Sequence, residues 1–188
     1  MAHTSNSPWT ILDQDLRYDN PWISVTEYQV LNPHGGKGIY GKVHFKNLAI
    51  GIVALDDEGS IYLVGQYRFP LDCFSWEIPE GGGPLDIDSL ESAKRELLEE
   101  TGIKARNWER LLGMHLSNSV SDEWCIVYLA TGLSQHEAQP EDTERLYVKK
   151  VSLEEAFAMV DREEITDAIT VAALLKMRLR TQPTAARP

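Results

Sequence analysis

This chain of 188 residues has only two cysteines, and it shows neither a long apolar stretch nor an apolar leader. Cys73 and Cys125 have no metal-ligand spacing, and because both lie among apolar neighbours we expect buried, reduced thiols. No stretch approaches the roughly 20 apolar residues that a membrane helix needs. Residues 1–6 contain neither the basic nor the apolar segment of a secretory signal. These features predict a soluble, cytoplasmic protein without a membrane partner.

Positive charge is also scarce. The chain has 18 Lys and Arg against 29 Asp and Glu, which gives a net charge of −11 at pH 7. An acidic field repels phosphate backbones, and this argues against nucleic acid as a partner. Clustered carboxylates can still hold divalent cations, which in turn can hold the phosphates of a small molecule. With 43% hydrophobic residues, the chain can form the core of one domain that carries an N-terminal extension.

Hydrophobic periodicity and turn residues predict the order of the elements. After a loose start or short edge strand in 1–19, strands are expected at 22–30, 39–45, 48–55, 60–68, 74–78, 108–116, 123–131 and 145–151. A glycine-rich loop at 79–84 precedes a helix that Asp88 caps and Gly102 ends. Two further helices are expected to begin near Ser152 and Asp167. Many strands around one helix, followed by two helices, predict an α+β fold with a mixed sheet.

Three glutamates on the first of these helices indicate a metal site. Glu96, Glu99 and Glu100 lie on adjacent helical turns, beside an apolar face that should pack on the sheet. Without counter-charge these carboxylates would repel one another, and a divalent cation would relieve the repulsion. A solvated acidic helix face is the alternative explanation. The three glycines at 81–83 favour the metal site, because glycine lets the backbone approach a ligand closely.

The segment from Gly81 onwards resembles the Nudix box, whose pattern is G-x5-E-x7-R-E-U-x-E-E-x-G-U, with U an apolar residue. Gly81 matches the first glycine, and residues 95–103 match the whole second half of the pattern. One position departs, because Ile87 occupies the place of the isolated glutamate. Asp86 and Asp88 flank this position, and either is a candidate to replace the missing carboxylate.

The resemblance extends to the branch that contains ADP-ribose and nucleoside-diphosphate-sugar pyrophosphatases. Four further segments are similar to that branch: 20–23, 67–70, 76–82 and 163–168. The resemblance implies a Nudix-type mixed β-sheet sandwiched between helices, with an N-terminal antiparallel strand extension at 1–45, a hydrolase domain at 46–180 and a disordered tail at 181–188. It also implies metal-dependent hydrolysis of the diphosphate bond of ADP-ribose or a related nucleoside diphosphate sugar. The expected products are a nucleoside monophosphate and a sugar phosphate.

The family pattern also implies which residues hold the metal and activate water. The expected metal ligands are Glu96, Glu99, Glu100 and the main-chain carbonyl of Glu80, with Mg²⁺ as the ion and Mn²⁺ as the alternative. The expected catalytic residues are Glu99 and Glu144, with Glu144 as general base, Glu141 as second choice and Glu99 as the alternative base. A simple acidic surface loop is the other explanation for the segment at 137–144.

The expected substrate-binding residues are Arg68, Glu77 and Trp22. Arg68 matches a family arginine that contacts phosphates or the terminal ribose, although a structural salt bridge explains it equally well. Glu77 matches a carboxylate near substrate and metal, and its alternative is a buried ion pair. Trp22 matches a position that stacks on a base, and its alternative is a core or interface tryptophan.

Two other functions remain open at this point. One is a Nudix hydrolase of another nucleotide, such as a dinucleotide, a nucleoside triphosphate or the 5′ end of RNA. The other is a non-catalytic ligand-binding module, for which Ile87 is the supporting feature. The resemblance also implies a homodimer that exchanges N-terminal strands, although the strands at 22–45 fit the edge of a monomeric sheet as well.

Overall fold

The computed structural model describes residues 7–138 and 145–181. The chain divides into two units. The N-terminal unit consists of Met1–Asn47 together with Ser117–Glu123, and the helical unit consists of Leu48–Leu116 together with Trp124–Pro188.

The N-terminal unit contains one antiparallel sheet. Its strands are β1 (Thr10–Asp19), β2 (Ile23–Leu31) and β3 (Lys37–Phe45), in the order β1-β2-β3. The predicted hairpin between β2 and β3 is confirmed, and Tyr28 lies opposite Tyr40 in it. The prediction for 1–19 underestimated β1, a full strand of ten residues. All ten are exposed, so no buried face imposes the alternation by which strands are recognised.

The helical unit contains two sheets. Its strands are β4 (Asn47–Ala54), β5 (Ser60–Arg68), β6 (Cys73–Glu77), β7 (Glu80–Pro84), β8 (Ile103–His115), β9 (Trp124–Gln135) and β10 (Tyr147–Ser152). The larger sheet has the order β7-β4-β9-β8, with β4 parallel and β8 antiparallel to β9. The smaller sheet has the order β10-β5-β6 and is antiparallel. The predicted α+β class with a mixed sheet is therefore confirmed.

Among the described residues, three α-helices belong to the same unit: α1 (Ser89–Thr101), α2 (Leu153–Asp161) and α3 (Ala168–Thr181). The predicted caps of α1 are confirmed, because Asp88 accepts a hydrogen bond from the N–H of Leu90 and Gly102 adopts φ = 69°. That left-handed conformation favours glycine. Ser152 caps α2 as predicted, by accepting from the N–H of Glu155. The part of the chain that the structure describes contains no helix that could span a lipid bilayer.

The larger sheet lies between two helical layers. On one face, Ala93 and Leu97 of α1 pack in a buried cluster with side chains of β4, such as Ile52. On the other face, Val127 of β9 is buried in a second cluster with residues of α2 and α3, such as Leu174. Successive residues of the central strands thus point to opposite faces of the sheet, because the strands are pleated. This arrangement fixes α1 against the strands that precede it.

Two local predictions were wrong. Residues 79–84 were expected to form a loop, but Glu80–Pro84 form strand β7 at the edge of the larger sheet. Its three consecutive glycines carry no side chains, so no hydrophobic pattern could indicate a strand there. Cys73 was expected to be buried like Cys125, but it is exposed at the start of β6.

Candidate active site

Gly81 on β7 lies directly beneath the carboxylate of Glu96 on α1. A Cβ atom at Gly81 would overlap the carboxyl group of Glu96, so no other residue fits here without moving that group. The contact exists because the chain leaves β7 through a short turn and then packs α1 on a face of the sheet to which β7 belongs. The glycine of the box motif is therefore required for the close approach of a helix carboxylate to the strand backbone.

Arg95 links two of the predicted metal ligands to the glycine-rich strand β7. Its guanidinium donates to Glu96 Oε1 at 2.6 Å, to Glu99 Oε2 at 2.6 Å and to the carbonyl of Gly82 at 2.9 Å. Desolvation lowers the pKa of Arg95, but attraction to Glu96 and Glu99 outweighs it, and the pKa is raised. Arg95 thus holds both carboxylates in fixed positions beside β7.

Glu100 ties the end of α1 to the start of β7. Its Oε2 accepts a hydrogen bond of 3.0 Å from the N–H of Glu80. Glu100 is only 5% exposed and Glu96 only 9% exposed, while the side chain of Glu99 is 28% exposed. A solvated acidic face would leave these groups in water, so the burial of two of them argues against that alternative.

Arg68, the last residue of β5, forms a salt bridge with Glu77, the last residue of β6, by extending its side chain along the antiparallel pair, in which Glu77 lies opposite Val64. The Nε of Arg68 donates to Glu77 Oε1 at 3.0 Å, and its Nη2 donates to Glu80 Oε1 at 2.7 Å. Desolvation lowers the pKa of Arg68, but bonding to Glu77 more than offsets this and raises the pKa. The sequence suggested a salt bridge and a substrate contact for Arg68, and the structure shows the salt bridge. A third of its side chain stays exposed, so part of it is accessible to a ligand.

Asp167 also lies beside Glu77 and Glu80, although the sequence predicted only that it begins a helix. One oxygen each from Glu77, Glu80 and Asp167 lie within 4.8 Å of one another, the one such acidic trio among the residues that the structure describes. Burial, followed by the charges of Asp167 and Glu77, raises the pKa of Glu80 well above its ordinary value. No spacing signal links residues so distant in sequence, so only the fold could reveal this contact.

Packing of α3 holds the trio together. Asp167 Oδ2 accepts from the N–H of Thr170 at 2.7 Å, which caps α3. The buried hydroxyl of Thr170 accepts in turn from the N–H of Ile78 at 3.0 Å. The start of α3 is therefore bonded to the segment that joins β6 to β7.

The remaining predicted residues have different outcomes. Glu141 and Glu144 lie outside the described residues. Trp22 belongs to the N-terminal unit and is 66% exposed. Ile87 is exposed in the turn before α1 and donates its N–H to the carbonyl of Pro84. Asp88 is engaged in capping α1, which argues against its serving as the missing box carboxylate.

Comparison with known proteins shows what the chain resembles. The family model of the NUDIX domain matches residues 45–174. The ADP-ribose pyrophosphatase of Bacillus subtilis (strain 168) is 35% identical over 134 residues, which cover 70% of this chain and 72% of that protein. The ADP-ribose pyrophosphatase of Mycobacterium tuberculosis (strain ATCC 25618 / H37Rv) is 37% identical over 139 residues, which cover 71% of this chain and 66% of that protein.

A solved crystal structure of an ADP compounds hydrolase has a similar fold. It matches with a TM-score of 0.83 and covers 94% of this chain and 95% of that one, at 20% sequence identity. At this identity the likeness concerns the fold, and it confirms the predicted architecture.

Proposed function

Because this chain belongs to the Nudix family and is a pyrophosphatase of that family, we propose that it hydrolyses the diphosphate bond of ADP-ribose or a related nucleoside diphosphate sugar. The products would be a nucleoside monophosphate and a sugar phosphate. One observation carries the proposal: Glu96 and Glu100 are buried against the backbone of Gly81 and Glu80. The names of the two bacterial relatives support the choice of substrate.

The donor set fits a hard divalent cation. Carboxylate oxygens from Glu96, Glu99 and Glu100 and the carbonyl of Glu80 are the type of ligand that Mg²⁺ prefers, with Mn²⁺ as the alternative. When bound, such an ion neutralises charge on the diphosphate and lowers the pKa of a water molecule. Burial of Glu96 and Glu100 keeps competing water away from these carboxylates.

The side chains of the protein position the reacting groups. Arg95 restrains Glu96 and Glu99, which reduces the rearrangement needed before reaction. Arg68 is bonded to Glu80, the first residue of β7, and offers its guanidinium to a substrate phosphate. Glu99 is the most exposed of the three box glutamates and can accept a proton from attacking water, as can Glu144.

The proposal also includes a homodimer formed through the N-terminal unit. Exposed apolar side chains occur on two of its three strands, β1 and β3, and they include Ile11, Leu16, Tyr18 and Ile39. Exposed apolar surface of this kind is typical of protein interfaces. Trp22, in the same unit, would stack on the base of the substrate. Light scattering of the full chain, compared with a chain that lacks the first 45 residues, tests the assembly.

To test the proposed hydrolysis, the protein is incubated with ADP-ribose and Mg²⁺, and the products are separated by chromatography. We expect AMP and ribose phosphate, and their loss in Glu96→Gln and Glu100→Gln. Glu91→Gln is the matched control, since Glu91 lies on the same helix but is exposed and bonded to Lys94. Full activity in both box variants would contradict the proposal.

A panel of other nucleotides distinguishes the remaining alternatives. Faster turnover of a nucleoside triphosphate, a dinucleotide or an RNA 5′ end would reassign the substrate. Calorimetry that shows tight binding of ADP-ribose without turnover would indicate a ligand-binding module instead.

A further inference from the structure

The acidic trio of Glu77, Glu80 and Asp167 carries more negative charge than its neighbours balance. Arg68 hydrogen-bonds to Glu77 and Glu80, and one guanidinium balances one of the three carboxylates. Asp167 receives a neutral N–H from Thr170. When all three carboxylates are ionised, two negative charges stay unbalanced by Arg68. Carboxylates at this spacing repel strongly where solvent is excluded.

A second observation concerns a single atom of Glu80. Its Oε1 is bonded to Arg68, but its Oε2 is buried and has no hydrogen-bond partner among the residues that the structure describes. The Glu80 side chain is only 11% exposed, so bulk water does not solvate this oxygen. A buried acceptor without a partner is costly, and a bound cation would remove that cost.

We infer that Glu77, Glu80 and Asp167 form a divalent cation site separate from the carboxylates of the box helix. In an octahedral Mg²⁺ site with bonds of about 2.1 Å, opposite oxygens lie about 4.2 Å apart. The trio offers oxygens within 4.8 Å of one another, so small movements bring all three to one ion. The donors are hard oxygens, which selects Mg²⁺ or Mn²⁺ over softer metals.

This site goes beyond the proposed function, because it does not depend on which nucleotide is hydrolysed. It uses the side chain of Glu80, whereas the box site uses the main-chain carbonyl of that residue. Asp167 lies on another element and is not part of the box. The two sites can therefore be removed separately.

The test counts Mn²⁺ ions bound to the full chain without nucleotide, by electron paramagnetic resonance of free Mn²⁺ and by calorimetry. Asp167→Asn should lose one Mn²⁺ or weaken that ion at least 10-fold, while the box ion stays. Asparagine caps helices as well as aspartate, so α3 should be retained. Asp161→Asn is the control, because it removes one exposed carboxylate of α2 that pairs with Arg178.

Glu96→Gln gives the reciprocal result, since it should weaken the box ion and leave the trio ion bound. Loss of the box ion alone in Glu96→Gln tests the metal ligands of the proposed function. Loss of the trio ion alone in Asp167→Asn tests this inference, so the failure of one can be told from the failure of the other. Identical Mn²⁺ stoichiometry and affinity in Asp167→Asn and the unaltered chain would overturn the inference.

Crystals of the unaltered chain soaked in Mn²⁺ provide a measurement that does not depend on folding of a variant. An anomalous peak between the three carboxylates supports the site. A peak at the box and none at the trio would show that a shared proton, not a metal ion, satisfies Glu80.

Discussion

The backbone N–H of Glu80 donates a 3.0 Å hydrogen bond to Oε2 of Glu100, 20 positions later in the chain. The last turn of α1 is therefore fixed against the first residue of β7. The carbonyl of Glu80 belongs to the same short strand. The orientation of the Glu80 N–H and of the Glu80 carbonyl therefore depends on the length of the Glu100 side chain.

This relationship predicts that shortening Glu100 is damaging even when its charge is kept. Glu100→Asp removes one methylene and withdraws the carboxylate from the N–H of Glu80. Misplacement by about 1 Å can reduce activity by about 10²-fold, so we expect a loss of that order in kcat/KM for ADP-ribose. Glu91→Asp, on the exposed side of α1, should retain nearly full activity. Equal activity of Glu100→Asp and the unaltered chain would show that this bond is unimportant.

Gly81→Ala should abolish most activity without unfolding the protein. The new methyl group would overlap the carboxylate of Glu96, and that flexible side chain can swing away. Displacement of a metal ligand is expected to reduce kcat/KM by about 10²-fold or more. Gly41→Ala is the matched control, because open space surrounds a Cβ atom there. A thermal denaturation curve recorded beside the assay separates lost activity from lost folding.

Thr170→Val should destabilise the fold. The fully buried hydroxyl of Thr170 accepts from the N–H of Ile78, and valine has the same shape but no acceptor. An unsatisfied buried N–H costs about 1–3 kcal/mol, which urea denaturation can measure as a lower free energy of unfolding. Thr170→Ser keeps the acceptor and should lose clearly less. Equal losses in the two variants would assign the effect to packing instead.

Asp122 should contribute stability that disappears in acid. Desolvation raises its pKa, but hydrogen bonds from Lys42, His44 and the N–H of Phe45 prevail and lower it to about 2, from an ordinary 3.8. A lowered folded-state pKa means that the stabilisation is complete above pH 3.8 and is lost as pH falls through 2. The expected size is about 1 kcal/mol, because solvent screens this partly exposed group.

The measurement compares the free energy of unfolding of Asp122→Asn and the unaltered chain from pH 2 to pH 7. The difference should be constant above about pH 4 and vanish towards pH 2. Asp13→Asn is the control, since its carboxylate bonds only to the adjacent N–H of Gln14 among the described residues. A difference that grows in acid would contradict the assignment.

Much of α1 was predictable because its signals are local. A cap at Asp88, an apolar face and a terminal glycine at Gly102 all lie within one helix, and the box pattern overlaps them. Strand β7 was not predictable, because its glycines show no pattern and its partner β4 is distant in sequence. The proximity of Asp167 to Glu77 depends on how α3 packs, which no local signal encodes.

The hydrogen bond between Thr170 and Ile78 spans 92 positions, and this has a consequence for synthesis. A growing chain that has passed the whole box motif still lacks the helix that holds the segment before β7. The site is therefore completed only after α3 has left the ribosome. Activity in nascent chains would report that α3 has docked, and chains stopped before Asp167 would keep the motif and remain inactive.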